Sequence, residues 1–179
     1  MWQRLAQLPH HRARTSWRTA LLNLSLMTFV LWAGLGLSGC ATLRLIPGTK
    51  IPDTPVHREI LARCEEYRVA MEQRDAAKLL SMADPNYYED SGTPAGSDDY
   101  GFPGLKHVLE SRLAALRWLR FLVRYRELHV DGDRATVDIR YDISFQLLTE
   151  VGEKWERRQN EKRLELKREG SRWMFLSGY

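Results

Sequence analysis

Few side chains in this sequence have the type and spacing that do chemistry, and two of them are its cysteines. Cys40 closes Leu37-Ser38-Gly39-Cys40 at the end of an uncharged stretch. A thiol there serves as the tail of a membrane span, half of a disulfide, or a site of modification. Cys64 recurs with Ile60, Tyr67 and Met71 at helical spacing, which marks it as a small core residue rather than a nucleophile. No set of His, Cys and carboxylates has metal-ligand spacing, so no metal and no cofactor is expected. Asp98-Asp99 lack the further oxygen ligands of a calcium site. Arg124 and Arg140 with Asp138 and Asp142 suit a charge ladder on a solvated sheet face. His107, Glu110 and Ser111 suit a solvated helix flank.

The segment that leads to Cys40 differs from everything after it. Arg4, Arg12, Arg14 and Arg18 supply four positive charges, and the first acidic residue of the chain is Asp53. Thr19 to Gly39 carries no charge and contains ALLNLSLMTFVLWAGLGL. A basic head, an apolar middle and a small-residue exit are the parts of a secretory signal. The run is also about the length that spans a bilayer, so a retained anchor is the alternative.

Leu37-Ser38-Gly39-Cys40 resembles a bacterial lipobox. The resemblance implies that residues 1–39 are a cleaved lipoprotein signal and that Cys40 is lipidated. Several acyl chains hold a protein on a membrane durably where one does not. Ala41, rather than aspartate, follows the cysteine, which by the same resemblance implies an outer-membrane protein facing the periplasm. With Cys40 acylated, Cys64 has no partner in the chain, so no disulfide is expected.

Cleavage also changes the electrostatics. The chain has 27 Lys plus Arg against 23 Asp plus Glu, a net +4, and the four signal arginines account for all of it. The rest is neutral, which removes the compositional case for nucleic-acid binding.

Residues 41–55, ATLRLIPGTKIPDTP, hold three prolines and one glycine and read as a flexible tether. Fully extended it would reach about 45–50 Å at about 3.3 Å per residue. The domain proper is expected over 56–179. A first helix is predicted from Val56 to Arg74, capped by Asp53 or Thr54 with Pro55 in its first turn. A short helix AAKLLSMA follows Asp75, then PNYYED as a short strand and residues 91–104 as a turn-rich loop able to act as a lid. Leu105, Val108, Leu109, Leu113 and Leu116 predict a third helix over 105–119.

Everything after Arg120 reads as sheet. Ala135, Val137, Ile139, Tyr141, Ile143 and Phe145 alternate with polar residues, the pattern of a half-buried antiparallel strand. Asp131-Gly132-Asp133 is the hairpin turn before it, so 121–130 is the partner strand. There the apolar parity flips between Tyr125 and Leu128, and a bulge at Arg126 or Glu127 would restore it and bend the sheet. Residues 150–169 have 13 charges in 20 positions, a composition open to helix; the alternation into Leu164 and Leu166 favours a long charged strand. Leu164 and Leu166 would face Trp173 and Phe175 of a last strand. The expected class is α+β, a cone-like curved antiparallel sheet packed against three helices.

The order of EQRDAAKLLSMADPNYYED, VDGDRATVDIRYDI and LKREGSRWMFLSG resembles the nuclear transport factor 2 superfamily, which includes ketosteroid isomerases and polyketide cyclases. The resemblance implies a pocket between sheet and helices and, often, a homodimer through the outer sheet face. In the isomerases a tyrosine on the first helix steadies an oxyanion while an aspartate moves a proton. By that resemblance Tyr67 and Asp90 are the candidate catalytic residues, with Tyr67, Tyr88, Asp90 and Tyr141 as candidate ligand contacts. The third acid of that set would fall near Glu161–Arg163, where no residue matches. Three functions follow: a membrane-anchored, non-catalytic module for a small apolar ligand or an envelope protein; an isomerase- or cyclase-like enzyme using Tyr67 and Asp90; or a purely structural envelope scaffold. For a protein partner, Leu122, Met174 and Leu176 are the outer-face residues to inspect.

Overall fold

The structure is a computed structural model that describes residues 44–90, 96, 98–150 and 152–179. The signal segment 1–39, Cys40 and residues 41–43 lie outside the described residues, as does much of the expected lid, 91–95 and 97. The elements run α1 (Pro55–Gln73), α2 (Ala76–Met82), β1 (Tyr88–Glu89), β2 (Tyr100–Gly101), α3 (Phe102–Ala114), β3 (Leu116–Asp131), β4 (Arg134–Thr149), β5 (Gly152–Glu169) and β6 (Arg172–Ser177). β3 to β6 form one antiparallel sheet in sequence order, and β1 pairs with β2 beside it. Three helices against a four-stranded sheet make the α+β cone expected from the sequence.

Local chemistry explains the helix starts. Thr54 accepts the His57 N–H at 3.2 Å, and Pro55 occupies the first turn, where its missing donor costs nothing. Asp75 caps α2 by accepting the Lys78 N–H at 2.9 Å. α1 buries Ile60, Leu61, Cys64, Tyr67 and Ala70 against the sheet. It also satisfies the free edge of β3: Glu72 accepts the Phe121 N–H at 2.9 Å, and Arg74 donates to the Arg117 carbonyl at 3.0 Å. An edge so covered cannot recruit another strand at those positions.

The expected bulge is present. The β3–β4 register slips between Tyr125 and Glu127, so Phe121, Val123 and Tyr125 on one side and Leu128 and Val130 on the other all turn inward. The charged segment is strand β5, paired with β4 along its length from Thr149–Gly152 to Arg134–Lys167. Its ladder with β4 outweighs the helix propensity of its residues.

Two expectations need correcting. α3 spans 102–114 rather than 105–119. Pro103 starts it early, and Trp118 to Leu122 leave helical spacing to pair with Gln146 to Asp142 of β4. The tether expectation fails for residues 44–54. The Ile46 N–H donates to the Ile51 carbonyl at 2.9 Å, Leu45 bridges Pro52, and Ile51 is only 2% exposed in the main core. Burial of one isoleucine and the Asp53–Arg58 ion pair turn a proline-rich segment into a clip on the domain.

The outer sheet face carries the charge ladder, but with other partners than expected. Arg124 lies directly opposite Arg140; the carboxylates Asp142 and Asp138 are instead taken by Arg157 (2.9 Å) and Arg163 (2.7 Å) of β5. Of the three apolar residues singled out on that face, Leu122 is exposed, Leu176 is half-buried, and Met174 is buried, with the Arg63 guanidinium against its sulfur. Trp118 and Trp155, unforeseen, lie side by side there at 5.3 Å and are 41% and 60% exposed.

Candidate functional site

Between the inner sheet face and the helices lies a cavity of about 500 Å³. Leu105, Leu109 and Leu113 of α3 form one wall; Ile139, Tyr141, Ile143, Phe145 and Leu147 of β4 form the other. Both rows follow from periodicity, 3.6 on the helix and 2 on the strand. Tyr67, Phe121 and Tyr179 close the inner end as an aromatic cluster. Tyr67 stacks on Tyr179 at 5.0 Å and meets Phe121 edge-on at 5.8 Å. Exposed Arg112, Ala115 and Arg158 mark where the cavity meets solvent.

Of the sequence-predicted site residues, the structure brings Tyr67 and Tyr141 into this cavity and leaves Tyr88 and Asp90 out. Tyr141 is half-buried, 5.6 Å from Phe121. Tyr67 is buried, and loss of hydration drives its hydroxyl pKa far above the ordinary range, so it stays protonated. Tyr88 is exposed and donates to Asp99 at 2.9 Å. Asp90 is exposed and lies in a separate concavity with Asn86, Tyr88 and Gly178. The expected pairing of Tyr67 with Asp90 therefore has no shared pocket.

One residue earlier, Glu89 is half-buried where Asp90 is exposed, though both line the separate concavity and neither lines the main cavity. Strand alternation points Tyr87 and Glu89 inward and Tyr88 and Asp90 outward. The Glu89 carboxylate accepts from the Tyr87 hydroxyl at 2.5 Å and the Gly178 N–H at 2.8 Å, and its other oxygen sits 3.5 Å from Lys162 Nζ. Lys162 also donates to the Tyr179 carbonyl, and the Tyr179 N–H donates to the Tyr87 hydroxyl at 3.0 Å. Gly178 is required here: its φ is +97°, and a Cβ would fall 2.4 Å from the Arg163 carbonyl oxygen. Burial lowers the Lys162 pKa, with Glu89 opposing and the nearby Arg112 charge adding to the effect.

Glu89 and Lys162 went unread for different reasons. The alternation in Tyr87-Tyr88-Glu89-Asp90 holds the signal for Glu89, since a buried Tyr87 puts Glu89, not Asp90, on its face. Lys162 sits in a uniformly charged run where no local pattern separates one face from the other. Only its pairing with Ile139 turns it toward the cavity. Cys64 is a buried thiol that burial pushes up to about 12, as expected of a core residue. Among the described residues no three His, Cys, Asp or Glu converge as a metal site.

No protein-family model matches the sequence. Nor does any curated protein match it. Solved structures do. A conserved protein from Planctomyces limnophilus superposes with a TM-score of 0.59 at 13% identity, over 69% of this chain and 92% of that one. A proposed dehydratase of the NTF2-like family from Streptomyces avermitilis gives 0.57 at 15%, over 69% and 93%. A proposed scytalone dehydratase from Novosphingobium aromaticivorans gives 0.58 at 13%, over 69% and 80%. The fold is nuclear transport factor 2-like. At such identities the likeness concerns the backbone, so the chemistry of this nuclear transport factor 2-like domain rests on its own side chains.

Proposed function

We propose that this protein is a lipid-anchored envelope lipoprotein whose domain is a non-catalytic module for a small apolar ligand. One observation carries the second half. The cavity has a size typical of small-molecule sites and apolar walls, yet among the described residues no carboxylate lines it. Proton transfer between carbons needs a base within reach of the substrate. Asp90 opens elsewhere, and Glu89 is engaged by a hydroxyl, a backbone N–H and an ammonium. That separation of Asp90 from Tyr67 favours the binding module over the enzyme alternative with Tyr67 and Asp90. The anchor half is supported by the basic head, the apolar run and Leu37-Ser38-Gly39-Cys40, with Cys40 as the acylated residue of an outer-membrane protein facing the periplasm.

Purification from native membranes followed by mass spectrometry tests both halves. The expected result is an acylated N-terminal peptide beginning at Cys40, together with an apolar compound released on denaturation. An unmodified Cys40 still joined to Gly39 would refute the anchor. A domain that carries nothing and takes up no hydrophobic probe would refute the module.

A further inference from the structure

We propose that the cavity takes a single-chain amphiphile with an anionic head group, its chain along the apolar walls and its head on Arg112, Arg158 and Lys162. This rests on the reading of the domain as a binding module and adds the ligand's class. Among the described residues lining the cavity, the charged ones are these three, and all are cations. They come from two elements that flank the cavity. Arg112 lies in the last turn of α3, while Arg158 and Lys162 lie on β5. Spaced by four residues on one strand, Arg158 and Lys162 share a face and stand about 13 Å apart.

The acids near them offset only part of this charge. Glu156 takes the Arg158 guanidinium at 2.7 Å but also takes Lys154 at 3.0 Å, so one carboxylate serves two cations. Glu89, 3.5 Å from Lys162, offsets that ammonium, which also donates to the Tyr179 carbonyl. Arg112 makes no ion pair among the described residues. Arg112 and Lys162 line the same cavity, and behind burial and the larger opposing effect of Glu89 the Arg112 charge disfavours the Lys162 ammonium form. An anion between them relieves that repulsion.

The geometry also suits a head group rather than a buried ion. The Arg158 guanidinium lies over the Phe145 ring, 5.4 Å from its centre, which braces it at the opening, with one nitrogen on Glu156 and its remaining donors open to a ligand. A neutral ligand would cover Arg112 with apolar surface and bring it no counter-charge, which is costly. A cationic ligand would be repelled. A fatty carboxylate and the phosphate of a lysophospholipid share the required chemistry: one chain and one anionic end.

The test uses the full-length protein in lipid nanodiscs and a set of photoactivatable probes. Each carries the same alkyl chain with a terminal diazirine and ends in a carboxylate, a phosphate, an alcohol or a trimethylammonium. Crosslinked peptides are mapped by mass spectrometry. The carboxylate or the phosphate is expected to label peptides containing Phe121 and Ile139 at least tenfold more than the alcohol or the ammonium. Whichever anion labels more strongly identifies the source. In Arg112→Ala/Arg158→Ala the anionic label is expected to fall at least tenfold while the alcohol label holds. Equal labelling by alcohol and anions in the native protein overturns the head-group assignment and leaves the binding module standing. No cavity labelling by any probe overturns both. The head-group series needs only the native protein, so a variant that fails to fold leaves that comparison decisive.

Discussion

β5 presents two faces with the same kinds of residue and opposite consequences. Outward, Arg157 and Arg163 meet Asp142 and Asp138 across the strand pair, in water. Inward, Arg158 and Lys162 line the apolar cavity, Arg158 paired with Glu156 and Lys162 with Glu89. Exposed ion pairs contribute little because water competes for both partners. Exposure does not separate the two faces, since the Arg158 side chain is 68% exposed and that of Arg157 65%; what separates them is that Arg158 and Lys162 line the apolar cavity beside Arg112. The difference teaches that charge content along this strand is uninformative, whereas the face on which a charge falls is decisive.

The contrast breaks most severely if the inner aromatic layer is removed. Phe175 is fully buried and touches both Tyr67 and Tyr179 at the closed end of the cavity. Phe175→Ala is expected to lower the unfolding free energy by about 3–5 kcal/mol, measured by denaturant titration. A loss well below 1 kcal/mol would mean that this layer is not the core that holds the cavity open.

A smaller effect sharpens the comparison through pH. Cys64, on the inner side, titrates near 9.0 when exposed but is pushed up to about 12 by burial. The unfolded chain therefore releases a proton in that window while the fold keeps it. Stability present below pH 9 is lost as pH rises toward 12, by up to about 1.4 kcal/mol per pH unit. The buried tyrosines Tyr67 and Tyr87, also raised, add the same trend above about pH 10. Cys64→Ala should flatten the decline between pH 9 and 10 and leave the tyrosine-driven part above it. An unchanged slope in that interval would contradict the assignment.

The smallest effect belongs to the outer face. Arg157→Gln is expected to leave the thermal midpoint at neutral pH unchanged within error. It should let the Asp142 carboxyl, held at about 2 chiefly by the Arg157 hydrogen bond, return toward 3.8 in an NMR titration. A large drop in midpoint would show that the ladder does more than decorate a solvated surface.

Much of the architecture was legible because its signals are local. Thr54-Pro55 started α1, Asp75 started α2, Asp131-Gly132-Asp133 turned the hairpin, and the parity flip after Tyr125 announced the bulge. The site was legible only in part. Tyr67 and Tyr141 line the cavity, while Asp90 lies in a separate concavity with Glu89. The clip at 44–54 was hidden because prolines signal irregular backbone, and irregular backbone is not the same as undocked backbone. The boundary between α3 and β3 was hidden because Leu116 and Leu119 fit a helical stripe and a strand equally well.

What the sequence determined alone was whatever depends on neighbours within a turn or two: caps, hairpin, alternation, and the neutrality of everything after residue 39. What the tertiary structure decided was which charges share a cavity. Arg112 and Lys162 stand 50 positions apart, and no pattern in either segment mentions the other. They converge because α3 lies over the sheet and because Lys162 pairs with Ile139, turning its side chain toward the cavity instead of water. Side-chain direction on a strand is set by register, and register is settled by the long-range pairing of the whole sheet.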